Sequence, residues 1–575
     1  MSLWQHLPPG TIMMLGALLI PLLPKKTQGW SAILLPVLSM IHLLTAFSDG
    51  FLLNFSFMGN ELTPIRVDRL SLIFGYIFHI AAFMSALYAA KVEDPIQHLS
   101  GQVYAGAAIA AAFSGDLISL FVFWELTAIS SVFLIWASRT EDSLRCGVRY
   151  LVIQVASGVI LLAGALMLFH DKGTLAFENF AHDGLDTAET VILWAFAIKA
   201  AFPFLHNWLQ DAYPKATFSG TVFLSAFTTK LAIYALARGF AGTSFLIPIG
   251  CVMTIFPIFF AVIENDLRKV LAYSLNNQLG FMVVGIGIGT PLALDGACAH
   301  AFAHIIYKGL LFMSMGAVFL RVGTTEASEL GGLHKKMPYT TIFCIIGAAS
   351  ISAFPLLSGF AAKSLIASAA AYSGLTAVTF VLLFASAGVM EHSGIKIPYF
   401  AFFAHDAGHD VEEAPWNMLL AMGIAAALCI AIGVYPSALY SLLPNMGIDS
   451  HHGGEVYNAY TFGHVLTQFE LLVFAALAFA LLIRMKVYPP EIRAINLDFD
   501  WVYRRVLPRF VTGTLSLFKD MVSPAGRVLQ DRTVVIREAT SEWFNEMKTQ
   551  KSVESGYAAV WAALLLACFM ILYMS

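Results

Sequence analysis

Windows of about 20 apolar residues, long enough to cross the hydrocarbon core of a bilayer as a helix, recur from one end of this 575-residue chain to the other. They fall near 11–24, 30–48, 70–90, 101–113, 117–137, 148–170, 188–210, 217–239, 244–263, 270–290, 292–320, 340–371, 374–394, 417–441, 466–484 and 557–573, roughly sixteen spans by that criterion. With 58% hydrophobic and only 12% charged residues, the chain has more apolar surface than a soluble core could hide. It reads as an all-α polytopic membrane protein. The formal charge of −4 is too small and too dispersed to form a nucleic-acid surface. Residues 11–24 have no basic stretch before them and no small-residue cleavage site after them, so they are expected to be a retained span.

The basic residues orient the chain. With the N-terminus outside, one set of connections holds thirteen of them (Lys25, Lys26, Lys91, Arg139, Arg145, Arg149, Lys215, Arg268, Lys269, Arg321, Lys335, Lys336 and Lys396) and the other holds four (Arg66, Arg69, Lys172 and Arg238). Cytoplasmic connections carry the excess of Lys and Arg, so a multi-pass protein of the inner (cytoplasmic) membrane with an outside N-terminus is expected. Residues 485–556 differ in kind. They are rich in charge and carry Val502, Val506 and Phe510 at helical spacing, which predicts a cytoplasmic helical segment lying in the interface and interrupted near Pro508 and Pro524, before one last span. A solvated linker is the alternative.

Ionisable groups inside the spans are the main functional signal, because they are costly there and face protein or water rather than lipid. Glu125 lies in FVFWELTAISSVF, Lys199 in WAFAIKAAFPF, Lys230 in FLSAFTTKLAIYAL, His300, His304 and Lys308 in HAFAHIIYKGLLF, and Lys363 in SGFAAKSLI. Their types suit proton transfer. A desolvated lysine loses affinity for its proton and a nearby carboxylate restores it, so Glu125 and Lys199 read as a switchable pair. His300, His304 and Lys308, spaced by four, stack on one helix face. Any one of these groups alone is also compatible with a structural contact between helices, and Lys308 stands near a helix end under some boundary choices, where it would snorkel.

AFPFLHNWL at 201–209 is echoed by AFPLLSGFAAKSLI at 353–366, an offset of 152 residues. Both place a proline inside an apolar span with a lysine close by. Proline frees a backbone carbonyl and admits water at mid-membrane depth, where a lysine needs hydration to exchange protons. Paired broken spans point to an internal repeat with a transport site at its interface. An odd number of spans between the units makes the second inverted.

Six scattered cysteines (Cys146, Cys251, Cys298, Cys344, Cys429 and Cys568) form no CxxC and read as small buried hydrophobes. No Fe–S, haem-attachment or dinucleotide motif appears, so no cofactor is expected in this chain. His405 and His409 in AHDAGHD, and His451 and His452 in DSHHGGE, have carboxylates nearby, but the two segments fall on opposite faces of this topology. Each reads as a solvated loop rather than a metal site.

Six ordered segments resemble the antiporter-like subunits shared by Mrp-type cation/proton antiporters, respiratory complex I and membrane-bound hydrogenases. They are VDRLSLIF (67–74), GDLISLFVFWELTAISS (115–131), IKAAFPFLHNWLQDAYPKA (198–216), ENDLRKVLAYSLNNQLGFM (264–282), HAFAHIIYKGLLFMSMG (300–316) and SAFPLLSGFAAKSLI (352–366). The resemblance implies a fourteen-helix core with two inverted five-helix repeats, each holding a broken helix, along a hydrated mid-membrane axis. It also implies a division into N-terminal helices (1–100), a first repeat (101–240), a second repeat (241–395), two further helices (396–486) and an amphipathic segment with a final span (487–575). Glu125, Lys199, Lys230, His300, His304, Lys308 and Lys363 match the family's proton-translocating residues. Lysine at 363 is similar to both the Mrp D-type subunit and some complex I subunits and does not decide the complex, whereas EHSGIKIPYFAFF (391–403) and DFDWVYRR (498–505) are more similar to the Mrp D-type subunit, although the long tail departs from it.

The expected function is proton translocation within a multisubunit Na+ or K+/proton antiporter, with other subunits, those ions and membrane lipids as partners. Two other classes stay open. One is a pump module of a complex I-like or hydrogenase-like redox complex, or its variant serving inorganic-carbon uptake. The other is a transport-silent scaffold.

Overall fold

The computed structural model describes residues 3–57, 59–181, 184–445, 457–494 and 496–512. The chain divides into two units, Met1–Asn496 and Leu497–Ser575. In the first, α1 (Thr11–Ala17) and α2 (Lys25–Ala46) lead to an antiparallel hairpin of β1 (Leu52–Phe57) and β2 (Asn60–Arg66), with Leu53 opposite Ile65 and Phe55 opposite Leu62. The all-α expectation is corrected here. Residues 51–66 mix polar and apolar residues over a stretch too short to span, and Gly59 takes the positive φ of 82° that a tight turn asks for.

Two series of helices follow. The first is α3 (Arg69–Tyr88), α4 (Pro95–Ala112), α5 (Leu117–Trp136), α6 (Glu141–Lys172), α7 (Thr187–Lys199), α8 (Asn207–Ala212), α9 (Gly220–Ala226) and α10 (Thr228–Gly239). The second is α11 (Leu246–Ile263), α12 (Leu267–Ile288), α13 (Pro291–Val322), α14 (Pro338–Ile351), α15 (Ser358–Tyr372) and α16 (Thr376–Val389). Beyond them, π-helical turns at Met390–Ile395 and Tyr399–Phe403 flank the short α17 (Lys396–Pro398), followed by α18 (Trp416–Val434), α19 (Ser437–Tyr440) and α20 (Phe462–Arg484).

Ten helices among the described residues are long and apolar enough to cross a membrane. The difference from the sixteen windows has physical causes. The window at 11–24 becomes a seven-residue α-helix and a 3-10 turn, the windows at 188–210 and 340–371 break, and α12 carries Arg268, Lys269 and the polar run Asn276–Gln278. The window at 557–573, Cys568, His451, His452 and Pro524 lie outside the described residues.

Several elements of the two series correspond. Asp116 and Asp266 cap α5 and α12, and each forms an isolated bridge 60 residues on, to Ala176 and Glu326 respectively. Both α6 and α13 have 32 residues and end on a left-handed glycine, Gly173 and Gly323. At the breaks, Ala201 and Phe204 have φ of 57° and 71°, and Ala353 and Leu356 have 59° and 70°. Each break is a Schellman-type end in which alanine holds the left-handed position usually given to glycine, with Phe202 N–H donating to Ala197 O (3.1 Å) and Phe354 N–H to Ala349 O (3.0 Å). Left-handed backbone at a non-glycine residue costs about 1–2 kcal/mol, so each break is held by its surroundings.

Three cations assigned to loops from sequence are buried instead. Arg238 makes a two-pronged pair with Asp68 (2.8 Å each). Arg268 donates to the carbonyl of Ala216 (2.8 Å) and to Thr221. Lys396 is fully buried. In the second unit, a π-helical turn at Val502–Val506 continues as helix through Pro508 to residue 512, so the expected interruption at Pro508 does not occur. The wider turn gives the pyrrolidine ring room where a regular helix would clash. Val502, Val506 and Phe510 are exposed.

Candidate functional site

Each of the seven ionisable residues that the sequence places inside spans is buried on a helix, none more than 7% exposed. Lys199 is the last residue of α7, and its ammonium donates to the carbonyl of Trp124 (2.6 Å) and the hydroxyl of Thr127 (3.1 Å) on α5. It also sits 4.4 Å from the centre of the Trp124 ring. The indole is fixed in turn: Trp124 Nε1 donates to Ser157 Oγ (3.0 Å), which donates to Ala195 O (2.7 Å). Glu125 is within electrostatic reach of Lys199. Its Oε1, buried without a hydrogen-bond partner, packs against Gly158 of α6.

Lys230 exposes a break that sequence reasoning missed. The window at 217–239 is two helices, α9 and α10, separated at Phe227, with neither proline nor glycine at the junction. Tyr104 of α4 supplies what the break leaves open, accepting from Thr228 N–H (2.9 Å) and bonding the Thr228 hydroxyl (2.6 Å). Lys230 donates to the freed carbonyl of Ser225 (2.5 Å). The polar pair Thr228–Thr229 beside a lysine was the available signal.

α13 carries His300, His304 and Lys308 in its interior. Lys308 lies mid-helix and fully buried, so the snorkelling alternative is corrected. His300 Nε2 meets Gln278 Oε1 (3.1 Å) and Tyr307 OH (2.9 Å). Both ring nitrogens of His304, and Lys308 Nζ, are buried without a protein hydrogen bond. A Cβ added at the neighbouring, buried Gly309 would meet nothing within 4 Å, so there is room beside this row. Lys363 of α15 donates to Ile351 O, the last carbonyl of α14 (2.6 Å), and stands 5.1 Å from the Phe281 ring centre. With Gln468 and His464 of α20 it lines a cavity of about 280 Å³.

The structure thus assembles two groups: Glu125 with Lys199, and Lys230, His300, His304, Lys308 and Lys363 within electrostatic reach of one another. The broken helices are capped by side chains, with Asn276 donating to Ala201 O (2.7 Å) and Gln468 to Ser352 O (3.0 Å). Orphaned polar atoms inside proteins are rare and are satisfied by water where space permits. Their concentration here suits a chain of exchangeable protons. The loop histidines separate, His409 bonding Glu329 O (2.7 Å) and His405 being exposed.

A family profile described as "NADH:quinone oxidoreductase/Mrp antiporter, TM" matches residues 114–391, a range that contains all seven residues. The chain is 32% identical over 356 residues to the D-type subunit of the Na(+)/H(+) antiporter of Alkalihalophilus pseudofirmus, covering 58% of this chain and 71% of that one. It is 27% identical to hydrogenase-4 component B of Escherichia coli (65% and 63% covered) and 29% identical to the A-type subunit of the A. pseudofirmus antiporter (74% and 60%), so it spans less than two thirds of both. Among solved structures, the Mrp complex from Dietzia sp. DQ12-45-1b superposes with a TM-score of 0.72 at 23% identity, covering 98% of this chain and 62% of that one. An archaeal membrane-bound sulfane sulfur reductase superposes with a TM-score of 0.70 at 22% identity (98% and 100%).

Proposed function

Because the chain belongs to the NADH:quinone oxidoreductase/Mrp antiporter family of membrane subunits, we propose that it is a proton-translocating subunit of a multisubunit Na+ or K+/proton antiporter of Mrp type. The observation that carries this reading is Lys199: a fully buried ammonium at a broken helix, held by the carbonyl of Trp124 and within reach of a carboxylate that has a free oxygen. Movement of Glu125 toward or away from Lys199 would strengthen or weaken proton retention, which is what a gated carrier requires. Protons would enter near Lys230, be held at Lys199, and pass through His300, His304 and Lys308 to Lys363. On this reading the protein lies in the inner membrane with its N-terminus outside, and the two matched series are inverted five-helix repeats within a fourteen-helix core.

The test is ΔpH-dependent cation/proton exchange in inverted vesicles carrying the whole native complex, wild type against Lys199→Ala, with co-purification of partner subunits as the check on assembly. Loss of Na+- or K+-elicited proton movement in an assembled Lys199→Ala complex is the expected result. A redox-pump module is the second reading, favoured by the likenesses to a hydrogenase component and to a sulfane sulfur reductase. It takes over when no added cation elicits exchange and an electron donor drives Lys199-dependent acidification.

A further inference from the structure

The π-helical turn at Met390–Ile395 holds a second set of buried ionisable groups that the pathway above does not use. The i→i+5 hydrogen bonds of a π-turn widen it beyond the α-helical repeat, which brings Glu391 and Lys396 nearer to one face than α-helical periodicity would. Lys396 is fully buried. Its ammonium donates to Val262 O (2.6 Å), Glu264 O (2.7 Å) and Ala261 O (3.3 Å) at the C-terminal end of α11, and pairs with Glu491 Oε1 at 3.0 Å. Unsatisfied carbonyls and the negative end of the helix dipole suit a cation there.

Two carboxylates, Glu391 and Glu491, share this one ammonium, and each is within electrostatic reach of it and of the other. The other charged group nearby, Glu264, is neutralised by Lys269 at 2.7 Å. Lys396 with two ionised carboxylates leaves one uncompensated negative charge in a desolvated place; one bound proton removes it. Burial holds the Glu491 carboxyl above the usual carboxylate range, with Lys396 pulling the other way. Partners for a moving proton are present: Glu491 Oε2 and His392 Nε2 are buried without a hydrogen-bond partner, and the Tyr488 hydroxyl faces the Glu391 carboxyl.

The cluster connects in two directions. Inward, His392 is fully buried and within electrostatic reach of Lys308, Lys363 and Lys396, and its Nδ1 bonds Ser393 Oγ (2.9 Å), which donates to Ser274 of α12 (2.7 Å). Outward, Tyr488 and Glu491 line an open cavity of about 310 Å³ together with the exposed His405 and Lys486.

We propose that Glu391, His392, Lys396 and Glu491 form a proton-holding station that connects the buried row on α13 with the aqueous cavity beside Lys486–Glu491. A proton arriving from the cavity is taken by Glu491 or Glu391, the two sharing it across Lys396. It passes to His392 Nε2 on the way to Lys308 and Lys363, or travels the same route in reverse. No bond other than those to the proton changes. This proposal rests on the proton-translocating reading.

The test uses the whole complex and two readouts: proton movement in inverted vesicles, and the infrared C=O stretch of a protonated carboxylic acid in the purified complex. The variants are Glu391→Gln with Glu491→Gln, and Glu391→Gln alone in case the pair fails to assemble; Lys363→Ala is the control. The station predicts that either assembled carboxamide variant loses the protonated-carboxyl band and moves protons about tenfold more slowly. A wild-type rate, or an unchanged band, in an assembled variant overturns it. If Lys363→Ala abolishes proton movement while the carboxamide variants do not change it, only the station falls. If Lys363→Ala also moves protons at the wild-type rate, the translocating reading falls with it.

Discussion

In the first series the buried lysine, Lys199, ends the helix that precedes the break; in the second, Lys363 sits one helix later and reaches back to the carbonyl of Ile351, the residue 152 positions after Lys199. The neighbouring positions differ too. With the offset of 150 residues that relates Asp116 to Asp266, the glutamate at 125 is matched by Leu275, and Gly158, which packs on that glutamate, by Lys308. The row Tyr150, Gln154, Gly158 on α6 becomes His300, His304, Lys308 on α13. One backbone plan therefore carries a lysine facing a carboxylate in one half and a row of imidazoles and lysines without a matching carboxylate in the other. Alike breaks with unlike charges make the two halves chemically inequivalent, which a symmetric pair of sites would not be.

The strongest way to break this comparison is to remove the lysines in turn. Lys363→Ala and Lys199→Ala are each expected to slow vesicle proton movement by roughly 10²-fold or more, the range for losing a positioned proton-transfer group. A full rate in either variant would mean the halves do not act in series. Glu125→Gln should cost less, about tenfold, because Lys199 keeps its contacts to Trp124 and Thr127. A loss equal to that of Lys199→Ala would instead mark the two as one unit.

Gly158→Ala sharpens the comparison without touching a charge. The added methyl would meet the Glu125 carboxylate, so the carboxylate must shift, with about 1–3 kcal/mol of destabilisation from overpacking and a several-fold slower rate in the vesicle assay. An unchanged rate would show that the position of Glu125 is not critical. The smallest effects are expected from Ala201→Gly and Ala353→Gly. Each relieves a left-handed alanine and should stabilise by about 1 kcal/mol, read as a rise in thermal midpoint of the purified complex. Unequal shifts would show that the two breaks are held differently.

Much of the site was legible because its signals are local. A charge in an apolar window is visible in one dimension, and all seven such residues are buried on helices; the paired Phe-Pro segments announced two breaks and both are present, whereas Pro36 and Pro257 stand in apolar windows inside unbroken helices. The break at Phe227 was marked in the sequence only by the Thr228–Thr229 pair beside Lys230, because no residue there forbids a helix and its open groups are satisfied by Tyr104, more than a hundred positions away. Gly158 was equally silent, since a glycine in a long helix says nothing of the carboxylate packed on it. Lys396 was misplaced because a short charged run between apolar windows looks like a loop until α11 and Glu491 supply its acceptors.

Hydropathy, proline and charge act within a few residues of where they stand. The order of residues was therefore enough to make this a helical membrane protein, to mark two of its broken spans and to pick out the ionisable side chains that the fold buries. Long-range packing settled the rest: which carbonyl receives each lysine, which glycine makes room for the glutamate, and that the two halves place unlike charges on like backbones. Those outcomes depend on the approach of helices distant in sequence, where a buried ammonium settles on whichever acceptors the packing brings to it.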